Sequence, residues 1–235
     1  MMYNIRMSGT DLFYAIIAGI VPSIVWLFFW NREDRDQPEP RSLLAGCFAL
    51  GMGAVIIAVF AEQYVTGFVS TISMKYSAWA IIEEVLKLAA VAIVALQSKY
   101  YDEPIDAMIY CIAAALGFAA LENTLFILSS VSGGTLATGL LTGNMRFVGA
   151  TLVHVVSSAL VGFGLAFTYY RKVYVKIIGL IVSLAAAVAL HAWFNISIIG
   201  ATSGDTLKAF GWIWMAVVLL IVLFEEAKAV KLHEA

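Results

Sequence analysis

Two adjacent glutamates, Glu83 and Glu84, a lysine one turn on at Lys87, a further acid at Glu122 and two histidines, His154 and His191, stand within stretches that are otherwise apolar. Asn195 follows one turn after the second histidine. Ionisable groups in such surroundings cost roughly 2.5–3.5 kcal/mol each on insertion scales, so they face a protein interior and serve function. Together these residues supply a general base, a general acid and groups able to stabilise an oxyanion. They supply no activated nucleophile, because Ser157 and Ser158 near His154 do not form a nucleophile elbow. Direct attack by water, with a carboxyl group drawing off its proton, is the expected chemistry. Two His and one Glu are also a catalytic zinc ligand set. The absence of H-E-x-x-H or another tight ligand spacing favours a metal-free mechanism, with a divalent metal such as zinc as the alternative.

Helical geometry divides the labour. Lys87 is four residues from Glu83 and three from Glu84, close enough for an intrahelical ion pair. The two glutamates point about 100° apart, so one faces the site and the other faces Lys87 or a neighbouring helix. Asn195 shares the face of His191, where its amide can orient a substrate or an oxyanion or else bond a neighbouring helix. Asn123 is adjacent to Glu122 but points elsewhere.

The elements that must position these residues are membrane helices. Hydrophobic residues make up 62% of the 235 and charged ones only 13%, against about 25% charged in an average soluble domain. Seven stretches approach the roughly 20 residues that cross a bilayer: Leu12–Trp30, Leu43–Ala61, Ser77–Gln97, Ala107–Leu128, Arg146–Thr168, Ile177–Ile199 and Ala209–Phe224, the last being short. The expected fold is all-α, a polytopic transmembrane bundle of about seven spanning helices forming one domain over residues 1–235. Trp26, Trp30, Tyr100, Tyr101, Tyr169, Tyr170, Trp212 and Trp214 fall at segment ends, as aromatic residues of the headgroup region do. The first stretch is long enough to span and runs into a charged loop, so it reads as a retained helix rather than a cleaved signal. Cys47 and Cys111 lie inside apolar segments and read as buried, inert thiols. The Ser129–Met145 connection is uncharged and rich in Gly, Ser and Thr, which is the composition of an ordinary mobile loop. No basic patch of the kind that binds nucleic acid is present.

With the amino terminus outside, the inner connections hold nine Lys and Arg residues and the outer ones four. The positive-inside rule therefore places the carboxyl terminus in the cytoplasm of a multi-pass cell-membrane protein. On that threading Glu83 and Glu122 each lie six residues from the outer ends of their segments, and His154 and His191 eight. At 1.5 Å per residue these are depths of roughly 9 and 12 Å. Two carboxylates and two imidazoles thus fall in one polar layer in the outer half of the bilayer.

Several of these residues resemble a known family. Glu83-Glu84-Val85-Leu86-Lys87 matches the EExxK motif of PrsW-type intramembrane proteases, and Gly117 to Asn123 resembles their GFxxxEN segment. Arg146 eight residues before His154, His191 in the next helix, and the opening helix, acidic loop and Pro38-Glu39-Pro40 are similar too. The resemblance covers nearly the whole chain. It extends to the CAAX-protease and bacteriocin-processing superfamily, with Phe118-x-x-x-Glu122 in place of FxxxH and His191-x-x-x-Asn195 fitting HxxxN. It implies a catalytic set of Glu83, Glu84, Glu122, His154, His191 and Asn195. Glu83 would activate water with help from Glu122, and His191 with Asn195 would support the oxyanion. His154 carries over from the PrsW pattern alone. Where some members have Asp, this chain has Asn195, which cannot act as an acid or base.

The expected function is that of an intramembrane endopeptidase. Its partners would be the lipid bilayer and a membrane-anchored protein substrate, cleaved near the extracytoplasmic face as when family members begin a stress response at an anti-sigma factor. A noncatalytic membrane scaffold is the main alternative, and an ion-coupled transporter a weaker one, since neither inverted repeats nor matched broken helices are evident.

Overall fold

A computed structural model describes residues 9–32, 37–132, 149–199 and 203–230. All regular structure among them is helical. The order is α1 (Gly9–Trp30), α2 (Arg41–Thr66), α3 (Ile72–Val94), α4 (Asp106–Ser132), α5 (Ala150–Phe167), α6 (Val173–Ile198) and α7 (Ser203–Lys228). Six of the seven are long and apolar enough to cross a membrane. The seventh, α3, carries Lys75, Glu83, Glu84 and Lys87, and these charges lower its hydropathy below that of its neighbours.

The helices outrun the apolar stretches that mark them in the sequence. α2 continues beyond Ala61 through Glu62 and Gln63 to Thr66, and α7, read from sequence as the short segment Ala209–Phe224, has 26 residues. Polar end residues continue the helical hydrogen bonding without contributing apolar signal. α3 begins on a cap, in which the Thr71 hydroxyl accepts the Met74 amide at 3.2 Å. Arg146 and the Gly-rich part of the Ser129–Met145 connection lie outside the described residues, and Ser129–Ser132 extends α4.

α4 is the axis of the bundle. It packs against α1, α2, α3 and α5, and every residue from Asp106 to Ala120 is buried. Membrane helices gain association energy from close backbone packing rather than from hydrophobicity, and small residues permit it. Gly51 of α2 and Gly117 of α4 form a reciprocal pair of this kind: a methyl on Gly51 would meet the Ala114 carbonyl oxygen, and one on Gly117 that of Phe48. Gly117 precedes Phe118 and Glu122, so the tight crossing fixes the height at which these two reach the site. Cys47 and Cys111 are buried free thiols, as expected. Trp30, the last residue of α1, is 1% exposed and stacks on Phe224 with ring centroids 5.2 Å apart, because the ends of α1 and α7 meet there.

Candidate active site

Glu83 and Glu84 both enter the core, on different terms. Glu84 Oε1 lies 2.6 Å from Lys87 Nζ and 2.7 Å from His191 Nδ1, and accepts the Ser157 hydroxyl at 2.8 Å. Its Oε2 accepts the Ser158 hydroxyl at 3.2 Å. A carboxylate can only accept, so the His191 hydrogen resides on Nδ1 and the Nε2 lone pair is free to point away. It points toward Glu83, whose Oε2 lies 3.7 Å from that Nε2.

His154 is fixed by the same reasoning. Lys87 Nζ, which only donates, lies 3.1 Å from His154 Nδ1, and Glu122 Oε2 lies 2.9 Å from Nε2. The hydrogen is therefore on Nε2, and Nδ1 carries the lone pair. Turning the ring over would set carbon atoms against both partners, so the hydrogen-bond network fixes the ring orientation. His154 Nδ1 is also 3.7 Å from Glu83 Oε2. The two imidazoles meet edge to face, with centroids 4.9 Å apart at 88°.

Glu83 Oε2 is buried and has no hydrogen-bond partner. It faces two imidazole lone pairs, so three acceptors converge on one point with a single donor among them, Lys87 Nζ at His154 Nδ1. Such a point calls for a proton or a cation. Glu83, His154 and His191 each offer one ligand atom, and these atoms all lie within 4.8 Å of one another. Ligands on a tetrahedral zinc ion at 2.0–2.1 Å are roughly 3.3 Å apart, so a closure of about an ångström brings the three to bonding distance. Glu84 behind His191 and Glu122 behind His154 are the carboxylate partners that orient metal-binding imidazoles. The residues present fit a divalent ion. Because α3, α5 and α6 each contribute one ligand, no tight sequence spacing betrays the set.

The three groups border a cavity of about 670 Å³. Its polar wall includes Glu62, Lys75, Glu83, Glu122, His154, His191 and Asn195, and its apolar wall includes Val55, Val59, Leu125 and Ile198. All these residues belong to one end of the bundle, at the carboxyl-terminal ends of α2, α4 and α6 and the amino-terminal halves of α3 and α5. The convergence expected from matched depth is present, although by a different geometry. Glu83 is about three turns in from the start of α3 and His154 about one turn from the start of α5, since the helix ends overhang unequally. Glu84 does not line the cavity but backs it. Asn123 turns away, as expected, and its amide donates to Thr151 Oγ1 at 2.9 Å.

Two contributions escape a reading of the sequence alone. Glu62 brings a further carboxyl against Glu83, yet it follows the last apolar residue of its segment and reads as loop. Its signal is a helical continuation of the α2 pattern past Ala61. Ser157 and Ser158, set aside as nucleophiles, serve as donors to Glu84, and Ser157 Oγ also lies 2.7 Å from the Val153 carbonyl oxygen.

A bundle of membrane-crossing helices closed around a buried Glu-His-His donor set defines a multi-pass membrane protein with a group of side chains able to hold a metal ion. The sequence model of the PrsW family of intramembrane metalloproteases matches residues 39–224, and the chain belongs to that family. It is 30% identical over 155 residues to a protein named protease PrsW from Geobacillus kaustophilus, covering 65% of each chain. To the proteins of the same name from Bacillus subtilis and Clostridioides difficile it is 32% and 26% identical, over 50% and 55% of this chain. The matched stretches span 65%, 55% and 56% of those three relatives' own lengths. No solved structure gives a significant match.

Proposed function

We propose that this chain acts as one transmembrane domain that hydrolyses peptide bonds in membrane-anchored protein substrates. The observation that carries the reading is Glu83 Oε2, buried without a partner between two imidazole lone pairs on the wall of a large cavity. Glu83, His154 and His191 are the residues that would hold a divalent metal. When bound, such an ion supplies Lewis acidity, which makes water nucleophilic near neutral pH and polarises a peptide carbonyl.

The chain's own residues supply the rest. The cavity's apolar wall accepts the unwound substrate segment and displaces bulk water. Glu84 holds His191 by Nδ1 and keeps the Nε2 lone pair aimed at the centre. Glu122 fixes the His154 tautomer from the cavity wall and takes the proton from the attacking water, for return to the leaving amine. The Asn195 amide, half-buried on the same wall, donates to the carbonyl oxygen as charge develops there. Because Asn195 cannot exchange protons, that duty falls to the acids.

The nine-to-four distribution of Lys and Arg supports placing the cavity on the extracytoplasmic side. Cleavage there of an anti-sigma-factor type of regulator is the substrate reading we favour, on the family resemblance. The test uses purified protein and a single-pass reporter. Cleavage lost on chelation and restored by Zn²⁺, and lost in a folded Glu83→Gln variant, supports the reading. Undiminished cleavage by Glu83→Gln removes Glu83 from the mechanism, and failure to cleave any single-pass reporter favours the scaffold instead.

A further inference from the structure

Lys87 holds a position that the centre itself would claim for an ion. Its ammonium is buried, 1% exposed, and lies 2.6 Å from Glu84 Oε1 and 3.1 Å from His154 Nδ1, with the Phe118 ring 5.2 Å away. His154 Nδ1 has a single lone pair. That pair cannot serve a Lys87 N–H and an ion together. The other nitrogen offers no alternative, because it is turned to Glu122 at 2.9 Å.

Resting on the metal-binding reading above, we propose that Lys87 is a built-in stand-in cation, and that an ion entering the centre must displace its ammonium from His154 Nδ1. Before entry, Lys87 satisfies one of the three converging acceptors and neutralises Glu84, so the buried cluster persists without a metal. On entry, the ammonium keeps Glu84 and swings away from His154. Leu88, Cys111, Ser158 and Val161 surround Lys87 on that side, and the Ser158 hydroxyl oxygen there can accept the released N–H. Lys87 is thus a positioning residue, and it weakens the affinity of the site while protecting its shape.

This sign separates the proposal from a purely supportive role. If Lys87 only braced the ligands, removing it would loosen them and weaken metal binding. If it competes, Lys87→Met frees the Nδ1 lone pair and removes a neighbouring positive charge, so binding tightens. The net worth of a charge-assisted hydrogen bond corresponds to roughly ten- to a hundredfold in affinity.

The experiment titrates Zn²⁺ and Co²⁺ into the purified full chain in detergent against a chromophoric chelator, with the visible spectrum of bound Co²⁺ reporting the ligand geometry. Lys87→Met is expected to bind Zn²⁺ at least about tenfold more tightly than the unaltered chain, and Lys87→Gln, which keeps a donor without the charge, to fall between. Equal or weaker binding by a folded Lys87→Met protein overturns the proposal. Should that variant not fold, Lys87→Gln and a structure of the unaltered chain with Zn²⁺ decide. An ion on His154 with Lys87 still about 3 Å from Nδ1 refutes displacement. An unaltered chain that takes up no ion overturns the metal reading itself, an outcome distinct from binding that Lys87→Met leaves unchanged.

Discussion

Glu83 and Glu84 are covalent neighbours with opposite surroundings: Glu84 accepts from four side chains, while Glu83 Oε2 accepts from none. Their substitution by Gln should therefore fail in different ways. Glu83→Gln keeps volume and removes the charged group that would hold the ion, so reporter cleavage should fall by more than the roughly 10–100-fold that losing a mere supporting partner of a metal site costs, with the fold intact. Glu84→Gln leaves Lys87 buried without a counter-charge, a defect worth about 3–5 kcal/mol. Thermal unfolding in detergent should show a large fall for Glu84→Gln and a small one for Glu83→Gln; the reverse order would contradict these assignments.

Metal content offers a readout independent of cleavage. The chain is expected to carry one zinc per molecule after dialysis against a trace of the ion, and His154→Ala or His191→Ala to carry almost none. Asn195→Ala should keep its zinc and lose less activity than Glu122→Gln, since an oxyanion donor is typically worth about 10²–10³-fold in kcat and a general base, the role proposed for Glu122, about 10²–10⁴-fold. Zinc retained in full by both histidine variants would move the site elsewhere.

Much of this centre was legible from residue types alone, because charge within an apolar helix has few explanations. Glu83, Glu122, His154, His191 and Asn195 do share one cavity wall. What was not legible depends on contacts between helices. Whether Glu83 or Glu84 faces the cavity is settled by where α5 and α6 set Ser157, Ser158 and His191, which no spacing within α3 encodes. Glu62 was hidden by the rule that ends a helix where apolarity ends, and the dispersal of Glu83, His154 and His191 over three helices tilted the sequence reading toward a metal-free mechanism although it named the same donor types. The stacking of Trp30 on Phe224 was likewise not legible, because an aromatic residue at a helix end looks the same whether lipid or another helix awaits it.

The α2–α4 crossing gives a paired test within one helix. Gly51→Ala drives a methyl into the Ala114 backbone, whereas a methyl on Gly53 meets nothing within 4 Å. Overpacking of this kind costs about 1–3 kcal/mol, and because backbone cannot yield, the upper end is expected. Gly53→Ala should be neutral or slightly stabilising through helix propensity. Unfolding midpoints of the two variants, measured side by side, check the crossing.

Threading is open to a direct chemical check. Lys172 is exposed at the start of α6, and Lys172→Cys in a chain with Cys47 and Cys111 replaced gives a single reactive thiol. An impermeant maleimide should label it only after the cells are opened. Labelling in intact cells would reverse the orientation and the side from which a substrate enters.

The enclosure of α4 bears on how the protein is made. Chains enter the membrane in order, so α4 emerges when α1, α2 and α3 are already placed and α5 has not yet been synthesised. During that interval the α4 surface that α5 later covers, which includes Asn123 and its future partner position opposite Thr151, has only lipid or the insertion machinery beside it. A nascent chain halted after α4 would expose polar groups to hydrocarbon that the finished protein never exposes. Arrival of α5 therefore both delivers His154, leaving His191 of α6 as the last of the three groups to come, and covers that exposed face of α4.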